Sequence, residues 1–255
     1  MAQTDQRFHL VLVDDGSTDG SATMVSSLIP NTTVLRGSGG WWWAGSLQQG
    51  YLWLRGRDVL ADDIVLIAND DTGFDSGFLV GARNVLGGSR RTLLLAQLYT
   101  PDSDSLVEVG VRVDWGSLQF TGVKEPGEVN CLSTRGLFLF AREFIELGGF
   151  HPHLLPHYGS DYEFTIRASR RGFKLQSDPA VRLWYDETTT GIRAVSTDSV
   201  TAFFRTSLST RSVANPFYLT TFLLLACPPR HLPRNLFRVW RVFLAGLLAA
   251  GRGRN

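Results

Sequence analysis

Cysteine is scarce. The 255 residues contain two, Cys131 and Cys227, 96 positions apart and outside any CxxC or Cys/His cluster. That excludes a disulfide-stapled scaffold and a zinc ribbon, and it fits a reducing, cytoplasmic compartment. Long apolar runs are also missing. No stretch of about 20 apolar residues occurs, so no transmembrane helix is predicted. Phe217–Cys227 and Val239–Ala250 come nearest, with a Pro/Arg segment between them. The opening residues are polar, and the first apolar run, Phe8–Val13, is short and ends in two aspartates, so no signal peptide is read there. Lysine occurs only at Lys124 and Lys174, which reflects coding base composition rather than chemistry. Acidic residues are absent from the last segment: residues 199–255 hold eight arginines and no Asp or Glu. Residues 1–198 hold 17 basic and 24 acidic side chains, a net of −7. The total of +1 therefore hides an acidic body and a basic tail.

What is present is the composition of a globular protein. Hydrophobic residues make up 44% and charged residues 19%, which excludes wholesale disorder. The length suits one large domain, or a domain with an appendage, able to bury its own core. Apolar runs Phe8–Val13, Thr33–Leu35, Ile64–Ala68 and Thr92–Leu98 read as strands, and helical segments at 21–28, 41–55 and 75–86 alternate with them. That alternation predicts an α/β fold with a mostly parallel sheet flanked by helices, in which ligands bind at the carboxyl ends of strands. Residues 107–123 alternate as an antiparallel insertion, 142–147 and 161–171 read as helices, and 173–185 as one or two strands. A domain over 1–200 and a basic, helical, amphipathic tail over 201–255 are expected. No internal repeat or low-complexity tract is seen.

Two acidic clusters fall at strand ends. Asp14-Asp15-Gly16-Ser17-Thr18-Asp19-Gly20 follows the first strand, where carboxylates can take hydrogen bonds from ribose hydroxyls or a base, and loop amides can meet a polar ligand. The same residues also make an ordinary solvated turn. Asn69-Asp70-Asp71-Thr72 follows Ile64–Ala68. Adjacent carboxylates there suit a hard divalent ion that completes its shell with diphosphate oxygens, or again a polar turn. Asp161 opens a helix, as an N-cap or as a general base toward a hydroxyl. Trp41-Trp42-Trp43 cannot all face one core, so at least one lines a cleft or solvent. In the tail, Arg234, Arg238 and Arg241 recur at helical spacing among Leu236, Phe237, Trp240 and Phe243. That pattern fits a face for anionic lipid headgroups or a packed helix with solvated arginines; nothing in it reads nucleic acid.

Taken together, these clusters resemble the family 2 glycosyltransferases of the GT-A fold over residues 8–190. The resemblance rests on VLVDDGSTDGS (11–21), RGSGGWWWAGSLQQG (36–50), LIANDDTGF (66–74), STRGLFLFAREFIELGGF (133–150) and HYGSDYEFTIRASRRGF (157–173), five motifs in family order. The tryptophan-rich variant is similar to members that build bacterial cell-surface polysaccharide, such as rhamnosyltransferase-like proteins. The resemblance implies inverting transfer of a sugar from a nucleotide-diphosphate-sugar donor to a glycan or lipid-linked acceptor, with Mg²⁺ or Mn²⁺. It implies Asp161 as catalytic base. It implies Asp14, Asp15, Ser17, Gly39, Gly40, Trp42, Trp43, Gly45, Gln48 and Asp70 around the nucleotide. Asp71 would be the main metal ligand, and Arg142, Gly149 and Tyr158 would lie on the acceptor side.

Three departures shape the expectation. The resemblance begins at the family's second strand, which implies a fold lacking the first strand and helix. Ser160 stands where relatives often carry Glu before the base, removing a like charge that would raise its pKa. Tyr185 stands where relatives place a metal-binding His, and Asp186 beside it would be the substitute oxygen ligand. A non-catalytic sugar-nucleotide-binding or scaffold protein of a polysaccharide assembly is the alternative. A nucleotidyltransferase fits less well, since no Gly-rich basic triphosphate signature stands near the N-terminus.

Overall fold

A computed structural model describes residues 3–185 and 195–252. In chain order the first half comprises β1 (Leu10–Asp14), α1 (Ser21–Leu28), β2 (Thr32–Arg36), α2 (Trp42–Arg55), β3 (Ile64–Ile67), β4 (Thr72–Gly73), α3 (Phe78–Leu86) and β5 (Thr92–Tyr99). Then follow β6 (Leu106–Glu108), β7 (Gly110–Asp114), β8 (Gln119–Val123), β9 (Leu137–Phe140), α4 (Ala141–Leu147), α5 (Ser160–Arg170) and β10 (Lys174–Tyr185). The tail forms α6 (Val200–Ser207), α7 (Pro216–Ala226) and α8 (Leu232–Arg252).

The main sheet has the order β3-β9-β5-β10-β4, with β6 added on β5. β5 and β10 are parallel, and β9 lies antiparallel to both β3 and β5. Strands β3, β5 and β10 therefore run the same way, as the β/α alternation predicts, while β9 and the short strands β4 and β6 run against them. β1 and β2 pair in parallel across α1, from Leu10 opposite Thr32 to Asp14 opposite Arg36, as a separate ribbon. Helix α2 packs on β1 and on α4, and so joins this ribbon to the main sheet. The expected insertion is present as the β7–β8 hairpin together with β6.

β5 and β9 are buried on both faces, which explains their unbroken apolar runs. Leu93, Leu95, Leu137 and Leu139 point to one side and pack with Tyr51, Phe144, Phe150 and Phe164. Leu94, Ala96, Phe138 and Phe140 point to the other and pack with Phe78, Ala82 and Leu86 of α3. This is the two-residue period of a strand expressed as two cores.

The tail is built onto the body. Asn215 caps α7 by accepting from Phe217 N at 3.0 Å and Tyr218 N at 3.4 Å, and Pro216 follows at the first helical position. Phe222 and Ala226 of α7 share a buried cluster with Val111, Val113, Cys131, Leu155 and Ile166. The Arg170 guanidinium, on α5, donates to the Leu225 carbonyl at 2.9 Å and to that of Ala226. Both cysteines are free and buried.

Candidate functional site

The site grows from the loops at the carboxyl ends of β1 and β3, and from the N-terminus of α5. After β1 the two aspartates divide their work. Asp14 accepts from Ser17 N at 2.8 Å, which holds its carboxyl below the usual carboxylate range with help from Arg36, 3.7 Å away. Asp15 reaches across to the Gly37–Trp42 loop, where its oxygens accept from Gly39 N at 2.8 Å, Trp41 N at 2.7 Å and Trp42 N at 3.3 Å. One carboxylate thus gathers three amides and sets the start of α2. The approach is close enough that a Cβ at Gly37 would lie 2.3 Å from Asp15 Oδ1, so only glycine fits there. Trp42 sits at φ +57°, a left-handed conformation unusual for a tryptophan. The Asp15 clamp and the helix behind it hold that conformation in place.

At the end of β3, Asp70 and Asp71 are exposed and Asn69 is half-buried. Asn69 Oδ1 is buried without a hydrogen-bond partner. β4 then pairs with the end of β10, placing Thr72 opposite Tyr185 and Gly73 opposite Trp184. A cleft lined by Thr72, Gly73, Phe74, Asp75, Pro101 and Trp184 opens beside the acidic turn. The Arg135 guanidinium lies 3.7 Å from the centroid of the Tyr185 ring. Arg135 also acts electrostatically on Asp161. Tyr185 thus stands between the acidic turn, through its pairing with Thr72, and Arg135, whose charge is felt at Asp161.

Asp161 is half-buried. Desolvation pushes its carboxyl up to about 6; the amide of Tyr162 and the charge of Arg135 work in the opposite direction and do not cancel it. The absence of a second acid before it therefore does not leave a weak base, because burial supplies the shift. Glu163, two residues on, is not free for chemistry. It pairs with Arg167 at 2.8 Å, and Arg167 in turn donates to the Gly149 carbonyl at 2.6 Å and to that of Leu147.

The tryptophan loop faces the segment before α5. Ala44 N donates to the Pro156 carbonyl at 3.0 Å, and the Trp42 ring meets His157 edge-on at 6.0 Å. His157 stacks edge-on with Tyr158 at 4.5 Å. From the tail, Arg211 of the α6–α7 loop places its guanidinium 5.3 Å from the Trp42 ring centroid. Burial first, and the Arg211 charge second, lower the pKa of His157, whose Nδ1 is buried without a partner.

The family described as glycosyl transferase family 2 has a model that matches residues 1–145. The chain belongs to this family. No curated protein sequence matches it. Among solved structures it is similar to GalNAc-T7 with UDP, GalNAc and Mn²⁺, at TM-score 0.57 and 13% identity, over 95% of this chain and 51% of that one. It is also similar to S. aureus TarS, at TM-score 0.56 and 14% identity, over 96% of this chain and 50% of that one. The chain spans about half the length of these structures. At such identities they establish the fold, a GT-A glycosyltransferase fold, as the α/β alternation and the five motifs led us to expect.

A divalent ion accompanies this fold in the GalNAc-T7 structure. The residues here fit such an ion. Asn69, Asp70 and Asp71 offer only hard oxygen donors, and the orphaned Oδ1 of Asn69 is one of them. Among the described residues no three His, Cys, Asp or Glu side chains converge, so the turn would hold such an ion by a partial shell only. Asp186 lies outside the described residues.

Of the residues expected to line the donor site in this family 2 transferase, Asp14, Asp15, Ser17, Gly39, Trp42, Gly45 and Gln48 come to one loop system. Several serve it from behind. Gln48 Oε1 accepts from Phe150 N at 2.7 Å, and Gly149, at φ +67°, packs where a Cβ would meet Gln48 Oε1 at 2.5 Å. Gly45 is buried against Trp41, while Gly40 faces open space and Trp43 is half-buried. Tyr158 reaches the Trp42 edge through His157. Arg142 is not brought to this cluster. It starts α4 beyond Phe140, which pairs with Ile64 at the opposite end of β3 from Asp70, and its Nε donates to the Val59 carbonyl at 3.3 Å. Arg135 and His157 join the site from inside the motifs at 133–150 and 157–173, where nothing singles them out, and Arg211 joins it from outside every motif.

Proposed function

We propose that this chain transfers a sugar from a nucleotide-diphosphate-sugar donor to a hydroxyl of a glycan or lipid-linked acceptor, with inversion, at the cytoplasmic face of the membrane in cell-surface polysaccharide synthesis. The observation that carries the reading is Asp161, a carboxylate at the first turn of α5 that burial raises to about 6. A base with that proton affinity is matched to neutral pH. Asp161 takes the proton of the acceptor hydroxyl as its oxygen bonds to the anomeric carbon and the bond from that carbon to the diphosphate breaks. One displacement inverts the centre. The Asp15-clamped loop and Trp42 hold the donor from one side. Asp70, Asp71 and Asn69 would hold a Mg²⁺ or Mn²⁺ ion, which when bound supplies positive charge to the leaving diphosphate. The GalNAc-T7 structure, with its UDP and Mn²⁺, is consistent with this donor chemistry.

The test is thermal stability with UDP, dTDP or GDP, each with Mn²⁺ and with EDTA, for the wild type and Asp71→Ala. A nucleotide at a hundred times its dissociation constant stabilises by about 2.7 kcal/mol. One nucleotide should give a metal-dependent shift that Asp71→Ala abolishes. A folded sample unmoved by every nucleotide would overturn the reading in favour of a non-catalytic scaffold.

A further inference from the structure

Helix α8 has two faces of opposite character. Asn235, Val239 and Ala250 are buried, and Gly246 packs against Phe203. On the other side Phe237, Leu244 and Leu248 are 71%, 52% and 64% exposed. At 100° per residue these three fall in one row along the helix. Arg234, Arg241 and Arg252, all exposed, form a second row directly beside it. Arg238, which the sequence groups with Arg234 and Arg241, is turned away: it donates to the Gly116 carbonyl at 3.1 Å and to Asn235 Oδ1 at 2.9 Å. Trp240 extends the apolar row sideways to exposed Phe217 of α7, edge-on at 5.5 Å.

We propose that this face of α8 lies flat on an anionic lipid bilayer, with the Phe237 row in the acyl boundary and the arginine row among the headgroups. The proposal takes its purpose from the reading of a membrane-linked acceptor, but it is tested independently of it. Among the described residues no helix is long and apolar enough to cross a membrane, so the helix would bind in the interface plane. No Asp or Glu occurs from residue 199 onward, so nothing on the helix offsets its attraction to anionic headgroups. A second copy is a poorer occupant, because two such faces set together would bring arginine against arginine. Nucleic acid would leave the apolar row without a partner.

The experiment is co-sedimentation of the full chain with vesicles of phosphatidylcholine alone, or with about 30% phosphatidylglycerol, at low salt and at about 0.5 M salt. Binding to the anionic vesicles alone, weakened by salt, is expected. Phe237→Ser/Leu248→Ser should weaken it at least tenfold, since two large apolar side chains leave the membrane. Arg234→Gln/Arg241→Gln should weaken it about 25-fold at low salt, about fivefold for each charge. Both variants alter exposed side chains, so the wild-type melting temperature and nucleotide response should persist, separating loss of docking from loss of the donor site. Absence of binding to anionic vesicles, or binding that both variants leave intact, would overturn the proposal. So would self-association of the wild type that Phe237→Ser/Leu248→Ser abolishes, which would assign the face to a second copy.

Discussion

Asp161 makes an unusual prediction, that removing the proposed base stabilises the protein. Its carboxyl is raised from 3.8 to about 6 by burial. A shift of about two units is worth about 3 kcal/mol of preference for the neutral form. In the unfolded chain the group ionises near pH 3.8, while in the folded chain it stays protonated to about pH 6. Folding therefore takes up a proton between these values, and stability falls as pH rises through that window. Above pH 6 the full cost is present; below pH 3.8 it is absent. Asp161→Asn keeps the shape and removes the charge. Near pH 7.5 it should be more stable than the wild type by up to ~3 kcal/mol, or roughly 6–12 °C in melting temperature for a chain this size. The advantage should vanish toward pH 4. Denaturation across pH 4–8 measures it, while transfer is lost and the nucleotide-dependent shift is kept. An Asp161→Asn difference that does not change with pH, or a variant less stable at pH 7.5, would refute the reasoning. So would retained transfer.

Three further outcomes follow from the geometry. Asp15→Ala leaves three amides of the Gly37–Trp42 loop without their acceptor; it should cost about 1–3 kcal/mol in denaturant melts and weaken nucleotide binding more than Asp14→Ala does. Gly149→Ala puts a methyl group against Gln48 and Tyr51 at a left-handed φ; a loss of about 1–3 kcal/mol is expected, read as a lower urea midpoint. Arg211→Ala removes a cation that depresses the His157 pKa, so the imidazole should titrate higher by NMR, while burial still keeps it below its ordinary value.

The sequence makes the sheet and its acidic turns readable because both rest on local signals. Ile64–Ile67 is an apolar run ending in acids, and Asp14-Asp15 follows another. The helices α1, α2, α4 and α5 stand within a few residues of their expected bounds, marked by Gly148 and Gly172 among others. The reversed direction of β9 was not legible. Leu137–Phe140 is apolar on every residue, and such a run carries no information about which neighbours it joins or which way it runs. β4 is two residues long and exists only because β10 reaches it. The roles of Asp15, Gln48 and Arg142 also lay beyond pattern reading. A motif names a side chain, whereas Asp15 is defined by amides 24 to 27 positions away and Gln48 by one 102 positions away. Arg142 follows a strand whose direction carries it away from the acids. The charge of Arg135 is felt at Asp161 only through the fold.

The capping of α7 by Arg170 carries a consequence for how the chain is assembled during synthesis. The last carbonyls of α7, at Leu225 and Ala226, are satisfied by a guanidinium 55 and 56 positions earlier. A ribosome delivers α5 first, so the cap and the groove for Phe222 are waiting when α7 emerges. Docking of α7 thus depends on α5 already being in place, and local propensity alone does not complete it. Until it docks, Val111, Val113 and Ile166 lack their Phe222 cover.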